Sequence, residues 1–363
     1  MSNEPSPKAR PDLEELRGRI DDIDRDILKS LQERLELSLQ TRRMKTCVRD
    51  KDREKALLDR LKTWCVARPL LQPVFVSRMF RAVIRESLAL QKSTGGLIGF
   101  QGEHGAYGEE AAIKYDSELI PIPCRQFDDV FQGVASGRLD CGIVPVQNSI
   151  GGSISRVNEL LLETDLLVRG EVILPIRHCL LADPEADYRD IREVHSHPQA
   201  LAQCRDFVAR HGLIPRSSYD TAGAARKLAL DRSRTAAAVA GHLCAELYHL
   251  QIIKRDIQDR VPNFTRFLIV SKAERSAGAG KCSLAFSVPH TPGALYGILQ
   301  IFAGHHLNLT RIESVPDRDN PGQYTFFCDF QIAGKTDTLQ EILDEVRAKT
   351  HRMKYLGCYK EDA

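Results

Sequence analysis

No sign of charge predominates in this chain of 363 residues: 51 Lys and Arg face 49 Asp and Glu, for a formal net charge of +2, so the overall balance gives no reason to invoke nucleic acid as a partner. There is no apolar run long enough to span a bilayer, and the opening MSNEPSPKARPD is polar and proline-rich, unlike a secretory signal. A cytoplasmic location without membrane contact is the expectation. The ten cysteines (Cys47, Cys65, Cys124, Cys141, Cys179, Cys204, Cys244, Cys282, Cys328, Cys358) include no C-x-x-C pair, which points to reduced structural thiols and against disulfides or a zinc knuckle. His195 with His197 and His305 with His306 are isolated pairs, so no metal site is expected. Gly99, Gly102 and Gly105 follow G-x-x-G-x-x-G and not G-x-G-x-x-G, which argues against a dinucleotide and leaves the chain without an expected cofactor.

What is present is a long helical seam. Pro11 suits an early helical position, and Leu13, Leu16, Ile20, Ile23, Ile27, Leu31 and Leu35 follow at spacings of three and four. Such a stripe needs a partner to cover it. A second helix carries Arg53, Glu54, Leu57, Leu61 and Trp64 up to the Arg68-Pro69 step, and a third runs over about 73–90. Arg17, Arg34, Lys45, Arg53, Ser87 and Gln91 read together as a cradle for a small dianion. Arg34 and Lys45 project from nearly one face, and Ser87 and Gln91 form an i, i+4 pair. Arg17 lies 17 residues before Arg34, roughly 25 Å along a helix, too far to share one small ligand within a chain. If Arg17 binds substrate, it serves a partner subunit.

Two glycine-rich stretches, Ser93-Thr94-Gly95-Gly96 and Ser276-Ala277-Gly278-Ala279-Gly280, mark expected boundaries and divide the chain into 1–94, 95–276 and 277–363. The middle block opens with LIGFQGEHGAYGEEAA, a strand, a glycine-rich turn and a helix start whose backbone N–H groups can hold an anion. CGIVPVQNSIGGSI, HCLLA, SHPQALAQC and NFTRFLIV follow, each a hydrophobic element ending in small polar groups. Taken singly, Asn148, Ser149 and Thr265 read more readily as turn and cap residues than as ligands. The last block reads strand, helix, strand, strand, helix, strand.

In this order the three blocks resemble an all-helical chorismate mutase, a prephenate dehydratase and an ACT regulatory domain, the arrangement of the bifunctional chorismate mutase/prephenate dehydratase family, over nearly the whole chain. The implied fold is a helical domain, a two-lobed α/β domain of periplasmic-binding-protein type and an α+β ferredoxin-like ACT domain. For the mutase the resemblance carries over Arg17 in LRGRID, Arg34 in QERLEL, Lys45 in RMKT, Asp50 and Arg53-Glu54 in RDKDRE, and Ser87 with Gln91 in ESLALQ, in a homodimer whose first-helix arginine serves the neighbour. For the dehydratase it carries over Ala106 and Tyr107 in GAYG, Gln147, Asn148 and Ser149 in VQNS, Gln203 in LAQC, and Thr265, Arg266 and Phe267 in TRF. For phenylalanine as an allosteric ligand it implies Gly293, Ala294, Leu295, Asn308, Glu313 and Ser314.

The chemistry suits these residue types. A [3,3] rearrangement of chorismate requires neither nucleophile nor proton carrier; it requires a compact conformer and donors for the breaking ether oxygen, expected from Lys45 and Gln91. Dehydration of prephenate is driven by aromatisation, and Thr265 is expected to donate a hydrogen bond to the departing oxygen. Four departures from the family pattern stand out: a short connection between Lys45 and Arg53, Gln147 in place of Glu, Gly108 in place of Ser or Thr, and Val315 in place of Arg. The second and third leave open an alternative, an active mutase joined to an impaired dehydratase domain that senses its ligand.

Overall fold

The apolar seam forms one long helix in the computed structural model, which describes residues 13–44, 49–92, 95–273, 280–316, 323–332 and 338–362. Lys45 and the expected boundary at 276/277 lie outside the described residues. Helix α1 (Leu13–Thr41) has Glu14 and Glu15 in its first turn, where acidic side chains complement the helix dipole. Helix α2 (Lys51–Val66) is capped by Asp50, whose carboxylate accepts from the Arg53 backbone N–H at 2.9 Å, and α3 (Pro73–Lys92) begins on a proline. Leu61, Cys65 and Val76 pack together with Leu57, Leu58 and Phe80. Of α1, Leu39 alone is buried; Leu13, Leu16, Ile20, Ile23, Ile27 and Leu28 are between 41% and 66% exposed, so α2 and α3 leave the seam uncovered.

The chain divides into two compact units, residues 1–94 and 95–363. The second opens with a lobe of β1 (Leu97–Gln101), α4 (Tyr107–Tyr115), β2 (Ile120–Cys124), α5 (Phe127–Ala135), β3 (Cys141–Asn148), β4 (Gly152–Ser153), α6 (Ser155–Glu163) and β5 (Leu167–Pro175). The chain then crosses to a second lobe of β6 (Cys179–Ala182), β7 (Glu193–Ser196), α7 (Pro198–Gln203), α8 (Arg205–Arg210), β8 (Ile214–Ser217), α9 (Thr221–Asp231), β9 (Ala236–Ala240), α10 (His242–Tyr248) and β10 (Gln251–Lys254). It returns as β11 (Phe264–Ser271), which inserts between β3 and β5, antiparallel to both, in a sheet ordered β2-β1-β3-β11-β5. The second lobe's sheet is ordered β10-β6-β9-β7-β8. One buried apolar cluster, which includes Ile98 and Phe100 of the first lobe and Ala238 and Cys244 of the second, joins the lobes.

The remaining block is β12 (Lys281–Ser287), α11 (Ala294–Gly304), β13 (Asn308–Pro316), β14 (Tyr324–Gln331), α12 (Leu339–Ala348) and β15 (Arg352–Tyr359), an antiparallel sheet ordered β13-β14-β12-β15 with two helices. Its edge strand β15 lies along β5 of the first lobe. Gly357, at φ +129, brings its backbone so close that a Cβ there would meet the Val168 carbonyl oxygen at 2.4 Å. Cys282 and Cys358 are register partners on β12 and β15 with Cα atoms 4.1 Å apart and are joined as a disulfide, which corrects the expectation of reduced thiols for this pair. The two are 76 positions apart in sequence, and sheet register alone brings them together.

Candidate active sites

In the helical unit Arg34, Ser38, Asp50, Arg53, Glu54, Ser87 and Gln91 line one cavity of about 110 Å3. Arg34 donates from Nη1 to Ser87 Oγ at 2.7 Å, and Ser87 donates in turn to the Val83 carbonyl at 2.8 Å, so the serine orients the guanidinium. Burial pulls the Arg34 pKa below its ordinary value, though the group remains a cation. Glu54 accepts from Arg49 Nε at 3.1 Å and Nη2 at 3.2 Å. Gln91 is buried and turns its amide nitrogen to the Ser38 carbonyl at 2.8 Å, which leaves Oε1 without a partner. Its amide nitrogen is engaged by Ser38 and the atom without a partner is an acceptor, whereas the expected contact to an ether oxygen requires a donor. Arg17 does not line the cavity; it is exposed and pairs with Glu14 at 2.8 Å.

The second site lies where the chain crosses between the lobes, at the carboxyl ends of β1 and β3, the position at which open α/β sheets take ligands. Gly105, at φ +88, closes the turn after β1; a Cβ there would meet Cys244 Sγ at 2.7 Å. The buried Glu109 accepts from the Gly105 N–H at 2.6 Å and fixes the turn that presents Ala106 and Tyr107. Asn148, at the end of β3, accepts at Oδ1 from the N–H groups of Ile150 at 3.0 Å and Gly151 at 2.6 Å. Its Nδ2 donates to Asn263 Oδ1 at 2.9 Å and Thr265 Oγ1 at 3.0 Å. Because Thr265 Oγ1 accepts, its own proton is free to be donated. Gln203, at the end of α7, reaches Asn148 Oδ1 at 3.4 Å and accepts from Asn263 Nδ2 at 3.1 Å. His178, between β5 and β6, lies 2.8 Å from Gln203 Oε1 and 2.9 Å from the Tyr107 hydroxyl. Sequence reasoning missed His178 and Asn263; both were visible, in HCLLA and NFTRF, but neither lies in a periodic segment that would have fixed its direction.

Several expected site residues face elsewhere. Strand alternation turns Arg266 away from the cleft and into a buried charge cluster against the third sheet. There it pairs with Glu171 at 2.7 Å and with Asp329, and donates to Tyr359 Oη at 2.9 Å; Lys281 pairs with Glu171 at 2.7 Å. This corrects the expectation that Arg266 contacts substrate. Burial opposes its charge, but the adjoining carboxylates hold it firmly protonated. Phe267 belongs to the buried core of the lobes, a second correction. Gln147 is a third. It lines a cavity of about 410 Å3 with Ser153, Thr310, Arg311, Ile312 and Glu313, on the side opposite Asn148. Ser149 clamps the start of β11, its Oγ accepting from the Phe264 N–H at 2.9 Å. A Cβ on Gly108 would lie 3.3 Å from Phe100 Cβ, so its place is set by packing.

In the third sheet, Gly293 adopts φ +84 ahead of α11, and Ala294 and Leu295 line a cavity of about 150 Å3 with Val288, Thr291, Tyr324 and Phe326. Glu313 instead pairs with Arg311 at 2.6 Å, and Arg311 donates to Asn158 Oδ1 of α6 at 3.0 Å. Asn308 donates to Gln331 Oε1 at 2.9 Å, and Ser314 is an exposed residue of β13, so neither joins Ala294 and Leu295 around that cavity.

Comparison with known proteins matches chorismate mutase type II to residues 16–92, prephenate dehydratase to 98–275 and the ACT domain to 283–348. The bifunctional chorismate mutase/prephenate dehydratase of Aquifex aeolicus (strain VF5) is 33% identical over 358 residues, which cover 96% of this chain and 98% of that protein. The chain belongs to the bifunctional chorismate mutase/prephenate dehydratase family. The arogenate dehydratase/prephenate dehydratase 2, chloroplastic, of Arabidopsis thaliana is 39% identical to this family member over 277 residues, 73% of each chain. The crystal structure of prephenate dehydratase in complex with L-Phe from Arthrobacter aurescens superposes with a TM-score of 0.66 at 28% identity, covering 73% of this chain and 89% of that one. The helical, two-lobed α/β and ACT architecture follows the family.

Proposed function

We propose that the protein converts chorismate to prephenate in the helical unit and prephenate to phenylpyruvate in the cleft between the lobes, in the biosynthesis of phenylalanine. In the first reaction the arginines fork onto the two carboxylates and hold the compact conformer, and Lys45 and Gln91 donate to the ether oxygen. The second is an elimination. The carboxylate C–C bond breaks, its electrons complete the aromatic ring, carbon dioxide departs, and the ring hydroxyl leaves as hydroxide that takes a proton to become water. One observation carries this assignment: Thr265 Oγ1 accepts from Asn148 and therefore has its own proton to offer the departing oxygen.

We further assign the chain a cytoplasmic location and division at 94/95 and 276/277. A homodimer covers the seam of α1 and brings Arg17 to the partner's pocket. Phenylalanine acts as a feedback inhibitor at Gly293, Ala294 and Leu295. Among the described residues no helix is long and apolar enough to cross a membrane. The test is to supply purified protein with chorismate, and separately with prephenate and arogenate, and to follow each product. Phenylpyruvate from chorismate supports the assignment. Prephenate accumulating without phenylpyruvate would favour the impaired, sensing dehydratase domain, a reading that loses one of its two supports because Gln147 faces away from Asn148.

A further inference from the structure

We propose that His178 is a positioning residue of the dehydratase site, held as the neutral Nε2–H tautomer, and that its donor fixes the Gln203 amide and, through Gln203 and Asn263, braces Asn148 where it meets Thr265. The inference rests on the dehydratase reading of the cleft. It follows from hydrogen-bond direction. Backbone N–H groups can only donate, so the Asn148 atom that meets Ile150 and Gly151 is Oδ1, and the atom opposite is Nδ2. That Nδ2 also lies 3.1 Å from the Phe264 carbonyl, which can only accept, in agreement with the same orientation. Asn263 therefore presents Oδ1 to Asn148 at 2.9 Å and Nδ2 to Gln203 at 3.1 Å. Gln203 must present Oε1, and the ring nitrogen of His178 at 2.8 Å from it must carry hydrogen. The chain of donors is thus anchored at the backbone and requires a hydrogen on Nε2.

The other nitrogen is then an acceptor for the Tyr107 hydroxyl at 2.9 Å, whose single proton it shares with the Arg177 carbonyl, also at 2.9 Å. His178 is 2% exposed, and burial lowers its pKa against the opposing effect of the Gln203 contact, which keeps the ring neutral near pH 7. With the reverse tautomer, a lone pair on Nε2 would meet the Gln203 oxygen, and relief of that repulsion by turning the amide would set N–H against N–H at Asn263. Asn148, still oriented by the Ile150 and Gly151 N–H groups, would lose the Asn263 and Gln203 contacts that brace it beside Thr265.

The experiment uses the full chain, two variants and one spectrum. The amide nitrogen of glutamine reaches the position of Nε2, whereas that of asparagine does not. His178→Gln is expected to retain dehydratase kcat within about threefold, and His178→Asn to lose about 10²-fold in kcat with KM little changed, the scale associated with misplacement of a reacting group by about 1 Å. Thermal melting and near-ultraviolet circular dichroism of each variant, compared with the wild type, serve as the folding control. In the wild-type protein, nitrogen NMR of the imidazole is expected to show a protonated Nε2 and a bare Nδ1 at pH 7. A protonated Nδ1, an imidazolium, or full kcat in His178→Asn would overturn the proposal. If both variants fail to fold, the spectrum decides. If the wild type lacks dehydratase activity, the dehydratase reading fails, whereas a wrong tautomer in an active enzyme rejects only the role of His178.

Discussion

The helical pocket and the interlobe cleft are built from opposite kinds of side chain. Around the first stand Arg34, Asp50, Arg53 and Glu54, all formally charged, with Arg53 exposed and Arg34 half-buried. Around the second stand Asn148, Gln203, Asn263, Thr265 and His178, groups that carry no formal charge when the imidazole is neutral. Asn148, Asn263, Thr265 and His178 are all buried. Burying a neutral amide costs little once its hydrogen bonds are made, whereas an isolated buried charge is expensive. A rearrangement that needs its substrate folded and held can use cations in an open pocket. An elimination that needs one donor aimed at one oxygen gains from a dry network whose directions are fixed. Arg17 lies outside the first pocket, and the dimer proposed above would supply it from a partner; the named members of the second belong to one chain.

Replacing Thr265 with Val gives the sharpest separation of the two. Loss of a single oriented donor is expected to lower dehydratase kcat by about 10²- to 10³-fold and to leave mutase turnover unchanged. The two rates measured on one preparation check this, and equal loss in both would mean that the sites are not independent. Next in size is a complementation. Arg17→Ala and Arg34→Ala are each expected to abolish most mutase activity, but reassociated mixed subunits should recover about a quarter of the sites, those in which both arginines are intact. Recovery of none would mean that Arg17 does not serve the partner's site, and full activity of Arg17→Ala alone would place it outside the reaction. The smallest effect is expected from Gln147→Glu, which restores the family's residue. Because Gln147 lines the cavity beside Arg311 and Glu313 and not the cleft, dehydratase kcat should change less than about threefold, the range of an altered hydrogen bond at a partly exposed position. A large gain would show that the side chain turns into the cleft during turnover.

The order of elements was largely legible in the sequence because each rests on a local pattern: the three-and-four spacing of α1, the glycines after β1, and the strand and helix alternation that ends the chain. The direction of side chains within the TRF segment was less so. Thr265, Arg266 and Phe267 are adjacent in sequence yet meet, respectively, the cleft, the third sheet and the core. Alternation implies that neighbours diverge, but only the partner strands say which side is which. His178 and Asn263 were illegible for another reason. Their partners lie 25 to 71 residues away along the chain for the histidine and 60 or 115 away for the asparagine, and nothing in the intervening sequence specifies that separation.

The insertion of β11 between β3 and β5 bears on synthesis. Both neighbours of this strand are made first, and 88 residues (176–263) separate the end of β5 from the start of β11. At about 5–20 residues per second, a growing chain spends on the order of 4 to 18 s with two sheet edges open and the strand that belongs between them not yet made. The second lobe is assembled during that interval. Its completion brings the segment that begins at Phe264 back to the gap, so Thr265 enters with the strand that closes the sheet, and no partly made chain can display the complete Asn148–Asn263–Thr265 network.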